Sequence, residues 1–417
     1  MSYIEGAERN QTILFPEAID DYIKDDNEVQ FIEAFVNSLD LAKLGFTHTV
    51  DALTGRPPYN PADLVKLYIY GYLNRIRSSR SLEKECYRNI EVMWLIRKLR
   101  PDFKTIADFR KDNGEALKGV CKEFVVVCKN LNLFSGELVA IDGSKFKAVN
   151  SKKRNFNEAK LKKKIQEIDR KIEEYLSEMD DADKEERDIP AVDKEWLRKK
   201  IEDIKRRKAE YETHLSQLKE SGETQVSITD SDGRAMMNNQ KIEVCYNVQI
   251  AVDEKYKLIL DYEVTNEVKD DQHLSEMAKQ AKDILGVETL EVVADKGYYN
   301  SMEIKECIEN GIRPCVSEPE STIPEDVHIY EKEEFCYDAE RDVYVCPMDS
   351  ELSYRSSAVM HGREMKPYRS SDYRRCAMLS CCTRSKRGRT IYHWEDEWML
   401  EETRARVLSE KRQGKKT

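Results

Sequence analysis

The chain has 417 residues, with 69 Lys and Arg against 80 Asp and Glu, which gives a net charge of -11. A chain of this length is too long for one simple core, so we expect two or three structural units. The acidic balance excludes a protein that coats nucleic acid with uniform positive charge. The apolar runs fall far short of the ~18 residues of a membrane helix, and no signal-peptide pattern is present, so we expect a cytoplasmic protein without membrane contact.

Cysteine usage and local charge refine these limits. The chain has 11 cysteines, an odd number, and many stand alone, which is typical of reduced thiols in a cytosolic protein rather than a disulfide scaffold. Two segments are locally basic, Lys145 to Lys171 and Arg355 to His393. Each segment is either a surface that binds phosphate groups or a solvated helix face. A local basic surface can bind phosphate even on an acidic protein, because only the contacted charges release counterions.

The first predicted elements are helices. Residues 1–55 are acidic, with a helical periodicity that places Phe31, Phe35 and Leu39 on one face. A second helix starts at Asn60 and Pro61, because Asn is a favoured N-cap and Pro a favoured first helical residue.

Three more helices are predicted over Ser81 to Arg88, Ile90 to Leu99 and Gly114 to Asn132. Short helices with tight polar turns are compatible with helix-turn-helix DNA binding, although any helical bundle would show the same pattern. In the DNA-binding interpretation, exposed arginines contact the phosphates: Arg75, Arg77 and Arg80.

Two aspartates follow short apolar strands. Asp142 comes directly after Leu138 to Ile141, and Asp295 comes directly after Leu290 to Ala294. A lone carboxylate there is costly to desolvate unless a cation or hydrogen bonds meet it. A matched pair of such aspartates can share divalent metals, as in two-metal phosphoryl-transfer sites. The alternative is that each Asp only forms a turn.

Between these strands, the heptad-like spacing of Leu161 to Met179 and of Leu197 to Leu218 predicts two helices around a polar loop. A narrow apolar seam needs a partner, so the two helices are expected to form an antiparallel hairpin. The seam serves either the hairpin alone or a second copy of the chain.

The remaining pattern predicts strands at 244–252 and 258–265, a helix at 274–285, the strand before Asp295, a helix at 301–310 and a strand at 312–316. Asp230 and Asp232 are rival acids, but their Gly-containing turn favours a turn-forming role. A last helix is predicted over Trp394 to Leu408, followed by a polar tail.

The segment after Ser317 has few apolar residues, and we expect it to lack a core of its own. Such segments are often held together by zinc, for which cysteine thiolates are the usual ligands. Five cysteines crowd into this basic segment, and they are either zinc ligands or free thiols in a loop: Cys336, Cys346, Cys376, Cys381 and Cys382.

The chain resembles bacterial insertion-sequence transposases of the DDE class, ribonuclease H-like enzymes named for two Asp and one Glu. The branch that it resembles has a helical N-terminal domain and a Cys-containing insertion. The resemblance extends from about residue 50 to the end of the chain. Its marks are Arg56-Pro-Pro-Tyr-Asn-Pro, Leu67-Tyr-Ile-Tyr-Gly-Tyr-Leu-Asn-Arg-Ile-Arg-Ser-Ser-Arg80, Leu99-Arg-Pro-Asp-Phe-Lys-Thr-Ile-Ala-Asp-Phe-Arg110, Ala140-Ile-Asp-Gly-Ser and Val293-Ala-Asp-Lys-Gly-Tyr-Tyr-Asn300.

The resemblance, together with the predicted order of elements, implies an α/β (α+β) fold. It has a ribonuclease H-like mixed sheet, a helical N-terminal domain and an inserted antiparallel helical hairpin. In that sheet the first and fourth strands are neighbours, which would bring Asp142 and Asp295 together. The expected divisions are 1–135 (helical, DNA-binding), 136–156 with 221–318 (catalytic core), 157–220 (hairpin), 319–392 (Cys-containing insertion) and 393–417 (C-terminal helix and tail).

The resemblance also implies the chemistry. Asp142 would bridge two Mg²⁺ or Mn²⁺ ions, and Asp295 would complete one of them, for attack on DNA phosphodiesters. The implied partner is double-stranded DNA at transposon ends, and a homodimer is one alternative for the assembly. Basic residues beside the aspartates are expected to join the arginines in binding DNA: Lys145, Lys147 and Lys296.

The resemblance also implies zinc ligands at Cys346, Cys376 and Cys382. A further ligand that the family commonly has corresponds here to Tyr373, so Cys381 or Cys336 is expected to substitute for it.

A catalytic feature is missing as well. Similar transposases carry the third acid in a later stretch that reads close to Val-Glu-His-Pro-Phe-Gly, and the chain stops before it, as a truncated copy would. Glu397 and Glu401 lie one helical turn apart, but their segment has no catalytic role in the family. We therefore expect an impaired transposase. The alternatives are a DNA-binding remnant without catalysis, a standalone metal nuclease, and a coiled-coil interaction protein if the two aspartates lie far apart.

Overall fold

The computed structural model describes residues 18–47, 49, 57–184, 191–319, 329–360, 363–385 and 387–412. The chain divides into two compact units, Met1–Leu133 and Phe134–Thr417. In the described part of the chain, no helix has the length and apolar character needed to cross a membrane.

The first unit is helical. The predicted cap holds, since the Asn60 side chain accepts a hydrogen bond from the Ala62 backbone N–H and Pro61 is the first helical residue. Sequence reasoning missed one helix, which Asp102 caps through the backbone N–H of Thr105. The helices are α1 (Glu28–Asn37), α2 (Pro61–Leu73), α3 (Ser79–Arg88), α4 (Ile90–Leu95), α5 (Phe103–Asp112) and α6 (Gly114–Asn130).

The core of this unit corrects the predicted face of α1. Val29, Ile32, Phe35 and Val36 are buried, whereas Phe31 is 51% exposed and stacks on the edge of the cluster against Phe35. Of the three predicted positions, Phe35 is buried and Leu39 packs against the core, so only Phe31 lies outside the buried stripe, which neighbouring aliphatic residues complete.

The second unit contains the predicted sheet and the hairpin. Its elements in chain order are β1 (Leu138–Lys147), β2 (Asn155–Asn157), α7 (Glu158–Lys184), α8 (Ala191–Ser221), β3 (Gln225–Ser227), β4 (Arg234–Asn238), β5 (Lys241–Asp253), β6 (Ile259–Thr265), α9 (Leu274–Leu285), β7 (Leu290–Ala294), α10 (Ser301–Glu309) and β8 (Ile312–Val316).

These strands form the predicted mixed sheet, in the order β4–β5–β1–β7–β8, with β6 also on β5. Strand β1 is antiparallel to β5 and parallel to β7, and β7 is parallel to β8. Helix α9 covers one face through its buried Met277, Ala278 and Ala281. This is the ribonuclease H-like arrangement, so the predicted fold class is confirmed. Strand β4, which pairs with the first half of β5, was not predicted.

The insertion between β1 and β4 is a helical hairpin, as predicted. Lys208 of α8 forms an ion pair with Asp169 of α7 at 2.5 Å, and Leu161 and Leu218 are buried near the base. Strands β2 and β3 pair antiparallel directly below the helices. The insertion is thus closed at its base by its own hydrogen bonds.

The segment after β8 corrects the expectation that it lacks a core. Its strands form a second sheet over a cluster of Phe335, Tyr344, Leu352, Tyr368 and Ile391. Tyrosines supply the apolar area here, because a Tyr ring can be buried while its hydroxyl keeps a polar partner. The elements are β9 (Cys336–Asp338), β10 (Val343–Val345), β11 (Glu351–Tyr354), β12 (Ala358–Met360), β13 (Arg363–Arg369), α11 (Leu379–Cys382) and β14 (Thr390–Trp394).

The last helix, α12 (Glu397–Arg412), begins three residues later than predicted, because Trp394 ends β14. Lys305 of α10 forms an ion pair with Asp396 at 2.6 Å, and the Arg406 guanidinium donates to the Pro314 carbonyl of β8. Helix α12 therefore packs on the first sheet of this unit. The predicted polar tail beyond residue 412 lies outside the described residues.

The closed base of the hairpin generates a prediction. Replacing Glu158–Ser221 by a short Gly/Ser linker should leave a single cooperative unfolding transition, because β2 and β3 still pair and a shorter loop costs less to close, about 0.6 kcal/mol for each halving of its length. Thermal unfolding followed by circular dichroism measures this. Loss of the cooperative transition would show that the sheet depends on the hairpin.

Candidate functional site beside the end of β7

The two predicted aspartates occupy adjacent places in neighbouring strands. In the parallel pairing of β1 with β7, the last paired residues are Ile141 and Ala294, so Asp142 and Asp295 each come one residue later. Strand β7 ends at this point, whereas β1 continues to Lys147 along β5. Because paired strands lie about 4.8 Å apart, the register brings the two aspartates side by side.

Each aspartate also has the turn-forming role that was the alternative. Asp142 Oδ1 accepts from the Gly143 backbone N–H, and Asp295 Oδ1 accepts from the Gly297 backbone N–H, both at 2.8 Å. Both side chains are exposed. Within the described part of the chain, neither aspartate has another hydrogen-bond partner, which leaves one carboxylate oxygen of each to a ligand.

A buried polar network lies directly behind this pair. Asp270, in the loop before α9, accepts hydrogen bonds from Lys145 at 2.9 Å, Asn247 at 2.7 Å and Gln249 at 2.8 Å. Asn247 and Gln249 are fully buried on β5, opposite Lys145 and Gly143 of β1. Burial opposes ionisation of Asp270, but its three hydrogen bonds outweigh burial and hold the pKa of this carboxyl below its ordinary value.

Tyr298 completes the network from the other side. Tyr298 follows Asp295 by three residues and is only 1% exposed. Its hydroxyl donates a hydrogen bond to Gln249 Oε1. Burial raises the pKa of Tyr298, and the nearby charges of Asp270, Asp142 and Asp295 raise it further. The hydroxyl therefore stays protonated and remains a donor.

Sequence reasoning missed Asp270, Gln249 and Tyr298. The loop that carries Asp270 shows no periodicity, so nothing marks that residue. Strand β5 did carry a signal: Asn247 and Gln249 are polar at alternate positions of an otherwise apolar strand, which places both on one face. Two amides on the buried face of a strand must find partners, and this observation could have predicted a polar network.

The basic residues expected to bind DNA have different surroundings. Lys145 is only 14% exposed and is paired with Asp270, so it departs from the expected exposed cation. Lys147 is exposed and pairs with Glu243 at 3.0 Å, and Lys296 is exposed beside Asp295.

The expected arginines lie in the helical unit. Arg75 and Arg77 are exposed in the turn after α2, where Arg75 adopts a positive φ of 60°. Arg80 is also exposed, and its guanidinium lies 4.7 Å from the centre of the Phe103 ring. These positions leave the charged groups open to solvent.

The donor set fits a divalent cation in part. Two exposed carboxylates suit Mg²⁺ or Mn²⁺, which prefer oxygen ligands. Among the residues that the structure describes, however, no three His, Cys, Asp or Glu side chains are arranged to hold a metal ion. Glu397 forms an ion pair with Lys332, and its carboxylate lies 3.5 Å from His393 Nδ1.

The predicted zinc ligands lie in one region of the second sheet. Cys346 Sγ accepts from the backbone N–H groups of Met348 and Ser350, at 3.4 and 3.3 Å. Burial raises the pKa of Cys382, and the neighbouring Cys346 and Cys376 raise it further, whereas the nearby Arg389 lowers it. Cys346 and Cys382 also pack against the buried cluster of the second sheet, and the described residues contain no complete metal-binding cluster.

The network around Asp270 generates a stability prediction. Because hydrogen bonds to a charged group contribute about 1.5–3 kcal/mol, we expect Asp270→Asn to lower the free energy of unfolding at pH 7 by about 2 kcal/mol. The folded-state pKa of Asp270 is lowered, so its contribution is present above the unfolded value of about 3.9 and is lost as pH falls through the folded pKa. Denaturant unfolding at several pH values measures both effects.

The control for this prediction is Lys147→Ala, which breaks the exposed pair with Glu243. An exposed pair contributes less than about 1 kcal/mol, so this variant should stay close to the wild type. Equal stability of D270N and the wild type at pH 7 would contradict a structural role for the Asp270 charge.

Two family models match the chain. A transposase domain (DUF772) matches residues 17–112, and a transposase DDE domain matches residues 216–408. Neither the curated proteins nor the solved structures contain a match. The first match covers most of the helical unit, and the second includes β7 with Asp295. With the ribonuclease H-like sheet and its adjacent aspartates, these matches show that the chain belongs to the insertion-sequence transposases of the DDE class.

Proposed function

We propose that this DNA transposase uses Asp142 and Asp295 to hold Mg²⁺ or Mn²⁺ for cleavage and joining of DNA strands. The observation that carries the proposal is the parallel register of β1 and β7, which sets the two exposed carboxylates side by side. When bound, the metal supplies positive charge that stabilises a phosphodiester under attack.

The chain's own residues prepare this site. The backbone N–H groups of Gly143 and Gly297 each fix one oxygen of an aspartate, so the carboxylates are oriented before a ligand arrives. The network around Asp270 supports the strand behind them. Preorientation of this kind lowers the cost of binding, because less side-chain freedom is lost.

We further propose that these two carboxylates hold one metal firmly and a second one weakly. Two-metal sites stabilise both the attacking and the leaving oxygen of the displaced phosphate. A site that holds one ion firmly stabilises only one of these oxygens well. We therefore expect slow cleavage and joining, with DNA binding retained.

DNA binding is assigned to two sets of exposed cations. The helical unit offers Arg75, Arg77 and Arg80, and the catalytic unit offers Lys147 and Lys296 near the aspartates. The expected ligand is double-stranded DNA at the element ends. Contacts of this type release counterions, so affinity should fall steeply with salt.

Two alternatives remain as outcomes of the test. A DNA-binding remnant would bind the ends without cleaving them. A standalone nuclease would cleave DNA with no preference for the ends, because it needs the aspartates but no end recognition.

The activity prediction compares the wild type with Asp142→Asn and Asp295→Asn on end-containing DNA with Mg²⁺ or Mn²⁺. We expect slow cleavage by the wild type and a further loss of at least about a hundredfold in either variant, because several kcal/mol of charge stabilisation is removed. DNA affinity, measured by fluorescence anisotropy at several salt concentrations, should change little.

The matched control is Asp230→Asn. Asp230 is a turn residue that accepts from the Tyr246 hydroxyl, so this variant removes a carboxylate of the same unit from outside the aspartate pair. Cleavage that survives in both D142N and D295N would overturn the proposed site. Cleavage without end preference would support the nuclease alternative.

A second proposal concerns zinc. Cys346, Cys376 and Cys382 would provide three of the four ligands of a structural zinc site. The support is that Cys346 and Cys382 pack against the same buried cluster and that two backbone N–H groups point at Cys346 Sγ. The alternative is that these cysteines are free thiols.

If zinc binds there, purified protein should carry about one zinc per chain, and Cys346→Ser should lose it. Elemental analysis measures the metal content, and chelation should make the second sheet sensitive to protease. Cys121→Ser, which changes an exposed thiol of the helical unit, is the control and should keep the zinc. Metal-free wild type with unchanged protease resistance would favour free thiols.

A further inference from the structure

The starting observation is a hydrogen bond that crosses a strand. Strand β1 lies between β5 and β7 in the sheet. Tyr298 belongs to the turn that follows β7, and Gln249 belongs to β5, yet the Tyr298 hydroxyl donates to the Gln249 side chain. The Tyr298 side chain therefore passes across β1 and reaches β5 on its far side.

The crossing takes place at Gly143, the residue after Asp142. A Cβ atom at this position would lie 3.1 Å from the Tyr298 hydroxyl, 2.9 Å from Gln249 Nε2 and 2.8 Å from Asp270 Oδ1. Contacts this short do not occur around real Cβ atoms without displacement of a neighbour. Only glycine leaves the space through which the two side chains meet.

The acceptor of this bond is fixed in orientation. Gln249 Nε2 donates to Asp270 Oδ1 at 2.8 Å, so its Oε1 faces Tyr298. Gln249 and Tyr298 are both almost fully buried, and water cannot replace either partner. A buried amide oxygen that loses its donor would carry the full cost of an unsatisfied polar group.

The turn that begins at Asp295 is short, and Tyr298 is its buried side chain. Lys296 and Gly297 are exposed, as is Asp295 itself. The Asp295 backbone follows Ala294, which is paired with Ile141, and the Asp295 carbonyl accepts a hydrogen bond from the Tyr298 backbone N–H at 3.2 Å. The buried Tyr298 side chain is therefore connected directly to the backbone that carries Asp295. The Tyr298 hydroxyl also lies against Gly143, the residue that follows Asp142.

We propose that Tyr298 is a positioning residue that sets the separation of Asp295 from Asp142 by its hydrogen bond to Gln249 across Gly143, and so sets metal affinity at the aspartate pair. This inference rests on the proposed function, because it needs the two aspartates to bind a divalent cation. Tyr298 touches neither the metal nor the DNA. It acts through the backbone of the turn that carries Asp295.

The test measures Mn²⁺ binding to the full chain by electron paramagnetic resonance of the free ion. The variant is Tyr298→Phe, which removes only the hydroxyl. The matched control is Tyr299→Phe, the next residue of the same segment, whose hydroxyl lies 3.4 Å from Glu318 instead. Thermal unfolding of each variant shows that it is folded.

We expect Y298F to bind Mn²⁺ about ten- to a hundredfold more weakly than the wild type, as for the loss of other groups that orient a metal ligand. Y299F should match the wild type. Gln249→Met removes the acceptor and should weaken binding similarly, and the double variant Y298F with Q249M should be no weaker than the worse single variant, because both act through one bond.

The outcomes separate the two claims. If the wild type binds no Mn²⁺, or if D142N and D295N bind it as well as the wild type does, the proposed function fails and the inference fails with it. If the wild type binds Mn²⁺ through the aspartates but Y298F and Q249M bind it equally well, only the positioning role is overturned. A lower melting temperature with unchanged Mn²⁺ affinity would assign Tyr298 to stability alone. If Y298F does not fold, Q249M tests the same bond.

Discussion

The pairing of β1 with two different neighbours is the constraint on which the second unit, Phe134–Thr417, depends. On one side β1 runs antiparallel to β5 for its whole length, and on the other it runs parallel to β7 only as far as Ile141. Asp142 thus lies where the pairing of β1 with β7 ends and its pairing with β5 continues. From Asp142 onward β1 is paired only with β5, so the edge of β1 that faced β7 is open beside both aspartates.

The buried face behind that point is unusually polar for the centre of a sheet. Asn247 and Gln249 are fully buried, and their amides are held by the Asp270 carboxylate. Such groups are costly to bury and tolerate few arrangements, since each lost partner leaves an unsatisfied polar atom. The network therefore selects one register of β1 against β5, because a shift by one residue would turn these amides to the other face.

Neither the helical hairpin nor the second sheet interrupts the strands of the first sheet. The hairpin is closed at its base by β2 and β3, which pair with each other. The second sheet carries its own tyrosine-rich cluster, and Asp342 accepts from the hydroxyls of Tyr337 and Tyr368. The hairpin and the second sheet each pair their own strands and bury their own apolar side chains, which is what allows a chain to carry such large additions to one sheet.

Local sequence determined much of this protein. The cap at Asn60, the heptad spacing of the hairpin and the apolar runs before Asp142 and Asp295 are short-range signals, and the structure has the corresponding elements. The order of strands and helices predicted the sheet together with the family resemblance, because connections in such folds are short and follow few topologies. Family resemblance then supplied the chemistry of the aspartate pair.

Tertiary structure alone decided the rest. Asp270 is 125 residues from Lys145 and 21 from Gln249 in sequence, and no periodicity connects them. Nor does sequence show that Tyr298 passes over Gly143, because this contact exists only once β1 lies between β5 and β7. The second sheet was missed because its strands are short and its buried cluster has only five residues, two of which are tyrosines. Contacts of this kind depend on which strands become neighbours, and a pattern within one segment carries no information about its neighbours.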